Sequence, residues 1–88
     1  MAKTIKFCVN ENGTEHKITL LYSYLTGKAK INIDGDDFDI STGALRLRGT
    51  SQIFRLGEKQ AILVFPKKGA PDIVVDGKYV NSGKIYES

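Results

Sequence analysis

Lys28-Ala-Lys-Ile-Asn-Ile-Asp-Gly-Asp-Asp-Phe-Asp-Ile40 is the stretch that decides the fold. Ala29, Ile31 and Ile33 alternate with Lys28, Lys30 and Asn32. After Asp34-Gly35 the alternation resumes, with Phe38 and Ile40 set against Asp37 and Asp39. A period of two places the apolar side chains on one face of a strand. Asp-Gly suits a two-residue type I′ turn, because both residues tolerate positive φ. The stretch therefore reads as a hairpin with one face turned to a core.

The same grammar extends in both directions. Ile5, Phe7 and Val9 alternate with Thr4, Lys6 and Cys8; Leu45 and Leu47 alternate with Arg46 and Arg48; Ile73 and Val75 repeat the pattern later. Asn12-Gly13, Gly49-Thr50 and Asp76-Gly77 are further tight-turn candidates. Nine glycines punctuate the 88 residues, which leaves little room for helices of the usual length of about 11–12 residues. Residues 15–25 fit two patterns. Ile18, Leu21, Tyr22 and Leu25 make a helical stripe, whereas Ile18, Leu20, Tyr22 and Tyr24 make a strand face. The poor helix formers Thr14, Thr19, Ser23 and Thr26 favour the strand. The expectation is one domain spanning 1–88, an all-β antiparallel β-sandwich of about eight short strands joined mainly by hairpins. The strands fall near 3–9, 15–23, 28–34, 36–40, 44–48, 52–56, 60–65 and 72–76, with a short one at 78–81.

There is an internal echo. Ile31-Asn-Ile-Asp-Gly-Asp-Asp-Phe38 and Ile73-Val-Val-Asp-Gly-Lys-Tyr-Val80 share one form, 42 residues apart. A half-repeat and two hairpins that merely share turn chemistry are both open, and the second is the simpler reading.

Composition excludes several function classes. The apolar share of 41% and charged share of 26% are those of a globular chain. No run of 18 apolar residues occurs, and the start lacks the apolar stretch of a signal peptide. A single cysteine, Cys8, excludes an internal disulfide. These features lead to the expectation of a cytoplasmic chain with no membrane contact. Net charge is +3, with all three arginines, Arg46, Arg48 and Arg55, inside ten residues. The reading for nucleic acid puts Arg46 and Arg48 on one strand face and Arg55 across a Gly49-Thr50 hairpin, on a small barrel that binds single strands. Against it, Phe38 and Phe65 read as core rather than as stacking platforms, so nucleic acid is the runner-up.

Chemistry is sparse. Cys8 and His16 lie on strands that a turn at 10–13 brings together, but Cys8 falls in the exposed phase, and no nucleophile elbow or phosphate loop is present. The chain is not expected to be an enzyme. Asp34, Asp36, Asp37 and Asp39 are carboxylates of the kind that hold Ca²⁺, yet the later glycine and distal Glu of an EF-hand loop are missing. They read as a turn followed by outward charges that blunt a strand. No cofactor or metal is expected.

Ala61-Ile-Leu-Val-Phe65 is apolar on both faces, unlike every other strand. Such a strand is buried on both sides or meets a partner. Ile62, Leu63, Val64 and Phe65 are the candidate contact residues, of which only two can point outward. The alternative is cover from a loop or from the 79–86 tail.

Taken in order, Lys17-Ile-Thr-Leu20, Thr26-Gly-Lys28, Ile31-Asn-Ile-Asp-Gly35, Leu45-Arg-Leu47, Gln52-Ile-Phe-Arg-Leu-Gly57, Ala61–Val64 and Asp72-Ile-Val-Val-Asp-Gly-Lys78 resemble a single repeat of the Fas apoptotic inhibitory molecule family. The resemblance implies a cytosolic β-sandwich without catalysis or cofactor. Animal members are similar to two such units in tandem and are associated with resisting death-receptor signalling and limiting protein aggregation. This chain has one unit and no Trp. The resemblance thus points to a protein–protein interaction module of unassigned process, and an uncovered 61–65 face points to a homodimer.

Overall fold

In the computed structural model, which describes residues 2–42 and 46–87, the chain forms eight strands and no helix. β1 (Lys3–Glu11), β2 (Thr14–Ser23), β3 (Lys28–Ile33) and β4 (Asp36–Asp39) make one antiparallel sheet in that order. β5 (Thr50–Leu56), β6 (Lys59–Phe65), β7 (Asp72–Val75) and β8 (Lys78–Tyr79) make the second, also in chain order. Two separate sheets pack as a sandwich; they do not close into a barrel, which removes the small-barrel frame on which the nucleic-acid reading was built.

The turns follow from their residues. Asn12-Gly13, Asp34-Gly35 and Asp76-Gly77 each have positive φ at both positions and join strands paired up to the turn: Glu11 to Thr14, Ile33 to Asp36, Val75 to Lys78. This is the type I′ geometry whose twist matches that of the strands. Gly57-Glu58 makes a fourth two-residue hairpin, with positive φ at Gly57 only, as a type II′ turn requires. Residues 15–23 are strand, not helix.

Two expectations fail. Residues 46–48 of the expected 44–48 strand are not strand: the chain bends and turns at 47–49, while Ala44 and Leu45 lie outside the described residues. Thr50 donates its N–H to the Leu47 carbonyl and Gly49 donates to the Phe65 carbonyl, so the chain turns here as it passes between sheets. Leu47 is buried and acts as a plug; Arg46 and Arg48 are exposed. Phe38, expected in the core, is 51% exposed. It has the inward phase of β4, but β4 is an edge strand whose inner side faces the open flank of the sandwich.

The core lies between the sheets. Phe7, Ile18, Leu20 and Ile31 from the first sheet meet Leu56, Leu63, Phe65 and Ile73 from the second. Tyr22, Tyr24 and Phe65 pack edge to face, with centroids 5.1–6.2 Å apart, the arrangement the ring quadrupoles prefer.

Candidate functional site

The structure resolves the phase of 61–65. Ala61, Leu63 and Phe65 are buried between the sheets, whereas Ile62 and Val64 point outward and are half-buried. Leu63 and Phe65 are therefore core residues and drop out as partner contacts. Ile62 and Val64 remain.

Ile62 belongs to a row running across the outer face of the second sheet. In register, Ile53 pairs with Ile62, Ile62 with Val74, and Val74 with Tyr79. One equivalent row on the first sheet is wholly polar: Lys6, Thr19, Asn32 and Asp37 stand side by side. Exposure along the apolar row is graded, from 61% at Ile53 to 4% at Val74. The tail accounts for the covered end. Asp72 accepts the N–H groups of Asn81 and Ser82, Tyr86 donates its N–H to Gly77, and the Tyr79 and Tyr86 rings meet at 5.8 Å. Cover by the 79–86 tail, the alternative raised by the sequence, is thus realised at the β7–β8 end and stops short of β5.

β5 is an edge strand, and the four edges are unequal. β1 carries Lys3 and Lys6, β4 is Asp-Asp-Phe-Asp, and β8 has two residues. Charge and brevity are the usual devices that stop an edge from pairing. β5, Thr-Ser-Gln-Ile-Phe-Arg-Leu, has seven residues, one charge and no proline. Among the described residues, no backbone hydrogen bond outside its ladder with β6 reaches residues 51–56.

The arginines do not form one basic face. Arg48 lies 3.7 Å over the Tyr24 ring and donates to the carbonyls of Lys67 and Gly69, so it pegs the 66–69 loop to the first sheet. Arg46 sits on the same turn. Arg55 is at the far end of β5, about 17 Å along the strand from Thr50.

Cys8 and His16 lie on opposite faces of the β1–β2 hairpin: Cys8 is exposed, and His16, opposite Val9, faces inward. Glu15 beside the thiol pushes its pKa up, which disfavours the reactive thiolate. Three of the four aspartates are engaged separately: Asp37 with Asn32, Asp39 with the Ser41 N–H, and Asp34 with His16. Among the described residues, no three His, Cys, Asp or Glu side chains converge to hold a metal ion, and no helix is long and apolar enough to cross a membrane.

His16 instead anchors a polar cluster that was not expected. Its Nδ1–H donates to Asp34 Oδ2 at 2.6 Å, and Asp34 Oδ1 accepts the Lys17 N–H. Nε2 is 3.5 Å from Glu11 Oε1, a carboxylate 5% exposed, and has no hydrogen-bond partner. The available signal was phase: His16 shares its face with Ile18, Leu20 and Tyr22, and a buried imidazole needs a partner.

Asp34 raises the His16 pKa above its ordinary value, burial opposes, and Glu11 adds to the rise. His16 in turn holds the Asp34 carboxyl below the usual range. A raised histidine pKa gives stability fully present below about pH 6.5 and lost as pH rises through the folded value. A lowered aspartate pKa gives stability present above about pH 4 and lost below it. The melting temperature should therefore peak between these limits. His16→Gln should flatten the fall from pH 6 to 8.5, read by thermal melts at each pH; an unchanged slope would assign that fall to other groups.

A scan against protein-family models, a search of curated proteins and a search of solved structures each found no match to this chain.

Proposed function

We propose that the protein is a non-enzymatic protein–protein interaction module that pairs with a second copy of itself through the β5 edge. The family resemblance in its sequence agrees with such a role. The observation that carries the reading is the combination on β5 of unblocked edge backbone and an isoleucine 61% exposed. Edge pairing supplies main-chain hydrogen bonds, and side chains at alternate positions set the register.

β5 is self-complementary about Ile53. A two-fold axis there sets Ile53 against its own copy, Gln52 against Phe54, Ser51 against Arg55 and Thr50 against Leu56. No like charges meet. The outer row becomes continuous across both copies, Val74-Ile62-Ile53 running into Ile53-Ile62-Val74. One seven-residue edge with a single apolar row belongs to the small, transient class of interfaces.

Light scattering over a concentration series, at low and high salt, tests this. Mass should rise toward the dimer with concentration and persist in high salt, because apolar association is not screened. Ile53→Lys removes two isoleucine contacts per dimer, each worth about 1.5–3 kcal/mol, so dissociation should become easier by at least about a hundredfold. A monomer at every concentration, or a dimer indifferent to Ile53→Lys, would sink the reading. Association lost on adding salt would favour a charged partner instead.

A further inference from the structure

The two ends of the sandwich carry opposite charge. The loops at 24–27, 46–49 and 66–71 meet at one end: the Tyr24 hydroxyl donates to the Gly69 carbonyl, and Arg48 donates to the carbonyls of Lys67 and Gly69. In sequence these loops hold Arg46, Arg48, Lys67 and Lys68, and neither they nor residues 40–45 contain an Asp or Glu. The four hairpin turns lie at the other end, where Asp34, Asp36, Glu58 and Asp76 are exposed. The seven residues of β6 set the ends about 20 Å apart.

At the basic end the side chains are placed by packing. The Lys67 stem runs past Gly49, whose added β-carbon would lie 3.7 Å from Lys67 Cγ, and the Arg48 guanidinium covers the Tyr24 ring. With Leu25 and Arg46 they line an open hollow of about 620 Å³. Among the described residues no carboxylate pairs with Arg46, Arg48, Lys67 or Lys68. Asp39 and Asp72, on the adjoining strands, accept backbone N–H groups instead. Leu25 stands out from this end 86% exposed, more than any other large apolar side chain among the described residues.

Projecting leucine and unpaired cations together decide the occupant. A single-stranded polynucleotide needs an aromatic platform, but Tyr24 is covered by Arg48 and packed on Tyr22 and Phe65. A folded partner needs a pocket shaped for Leu25, whereas the interfacial layer of a bilayer takes apolar side chains of any shape. Anionic lipid attracts basic side chains within a Debye length, about 8 Å at physiological salt. With the basic end down, the acidic turns stand beyond that reach, so the charge asymmetry also fixes the orientation. The expectation of no membrane contact rested on the lack of a spanning run and a leader, and a chain that lies on a bilayer needs neither.

We propose that the loop end of the sandwich docks on an anionic lipid surface, with Leu25 among the headgroups and Arg46, Lys67 and Lys68 on their phosphates. None of these residues belongs to β5, so the proposal stands apart from self-association.

The test is co-sedimentation of the protein with vesicles of phosphatidylcholine, alone or mixed with phosphatidylserine. Each basic side chain near such a surface is worth about fivefold in affinity, so the mixed vesicles should bind at least about a hundredfold more tightly. Lys68→Gln should weaken that binding about fivefold. Lys78→Gln, the same loss of charge beside the Asp76-Gly77 turn, should leave it unchanged. Leu25→Ala should weaken it about tenfold at unaltered charge. All three side chains are at the surface, so an unchanged thermal transition certifies each variant. Equal binding to both vesicle types, equal losses from the two lysine variants, or an indifferent Leu25→Ala would each overturn the proposal. Tighter binding of polyglutamate or a single-stranded oligonucleotide than of the vesicles would assign this end to a soluble polyanion and overturn it as well.

Discussion

Leu63→Ala should cost about 2–5 kcal/mol, the range for deleting a fully buried leucine whose cavity cannot collapse. Leu63 is wholly inaccessible at the centre of β6, set between Gln52 and Ile73 on the flanking strands. A domain of this size has a total stability of roughly 4–13 kcal/mol, so the variant sits at or near the threshold of folding. Its melting temperature should fall by at least about 8 °C, at roughly 4–8 °C per kcal/mol. Val64→Ala, one residue on but facing outward, should cost about 1 kcal/mol or less. Urea titrations of the two variants decide the matter. Equal losses would mean that β6 does not present Leu63 inward and Val64 outward. The comparison also separates core from contact among the four apolar residues 62–65, which are indistinguishable by type.

Gly57→Ala is the second large expected effect. Gly57 has φ +59°, a region that costs an ordinary residue about 1–2 kcal/mol. A β-carbon there would also overlap the Glu11 carboxylate, lying 2.9 Å from its Cδ. Glu11 cannot swing aside freely: it is 5% exposed, accepts from Asn12 Nδ2 and faces His16 Nε2. Crowding a packed position costs about 1–3 kcal/mol more, so the total should be about 2–5 kcal/mol. Gly13→Ala and Gly35→Ala isolate the backbone contribution, since their β-carbons would meet nothing within 4 Å. They should lose about 1–2 kcal/mol each. If all three glycines cost the same in denaturant titrations, the Glu11 contact is not what confines position 57.

The fold was legible in the sequence because turns and alternation are local. Asp34-Gly35 needs no distant partner to specify a type I′ hairpin, and Ala29, Ile31 and Ile33 announce their face unaided. What failed depended on distant neighbours. Leu45-Arg-Leu-Arg48 has a strand's alternation, but the chain crosses between sheets there, so Leu47 becomes an isolated plug and Arg48 turns back to Tyr24. Phe38 has the inward phase, but no sequence pattern says that its strand is an edge.

The candidate site was half legible. Ala61–Phe65 stood out as apolar on both faces, and for that reason a period of two gave no phase. The neighbours that fix it, Ile53 and Val74, come from strands known only once the sheet is assembled. The Glu11–His16–Asp34 cluster draws its members from separate strands and turns, with His16 and Asp34 18 positions apart in the chain. Only the buried phase of His16 could have flagged it.

Every strand pair joins neighbours in the chain, and the two sheets share no ladder. The echoing Asp-Gly hairpins occupy matching places, β3–β4 in one sheet and β7–β8 in the other. The domain is thus two consecutive four-strand meanders laid face to face. All of its backbone pairing can be completed by short loop closures, in contrast to the long-range strand crossings that slow the folding of Greek-key sandwiches. One non-local event is left, the docking of the two apolar faces. Residues on those faces, such as Leu20 and Leu63, should therefore govern how fast the protein folds, while the turn glycines govern whether each meander is ready to dock.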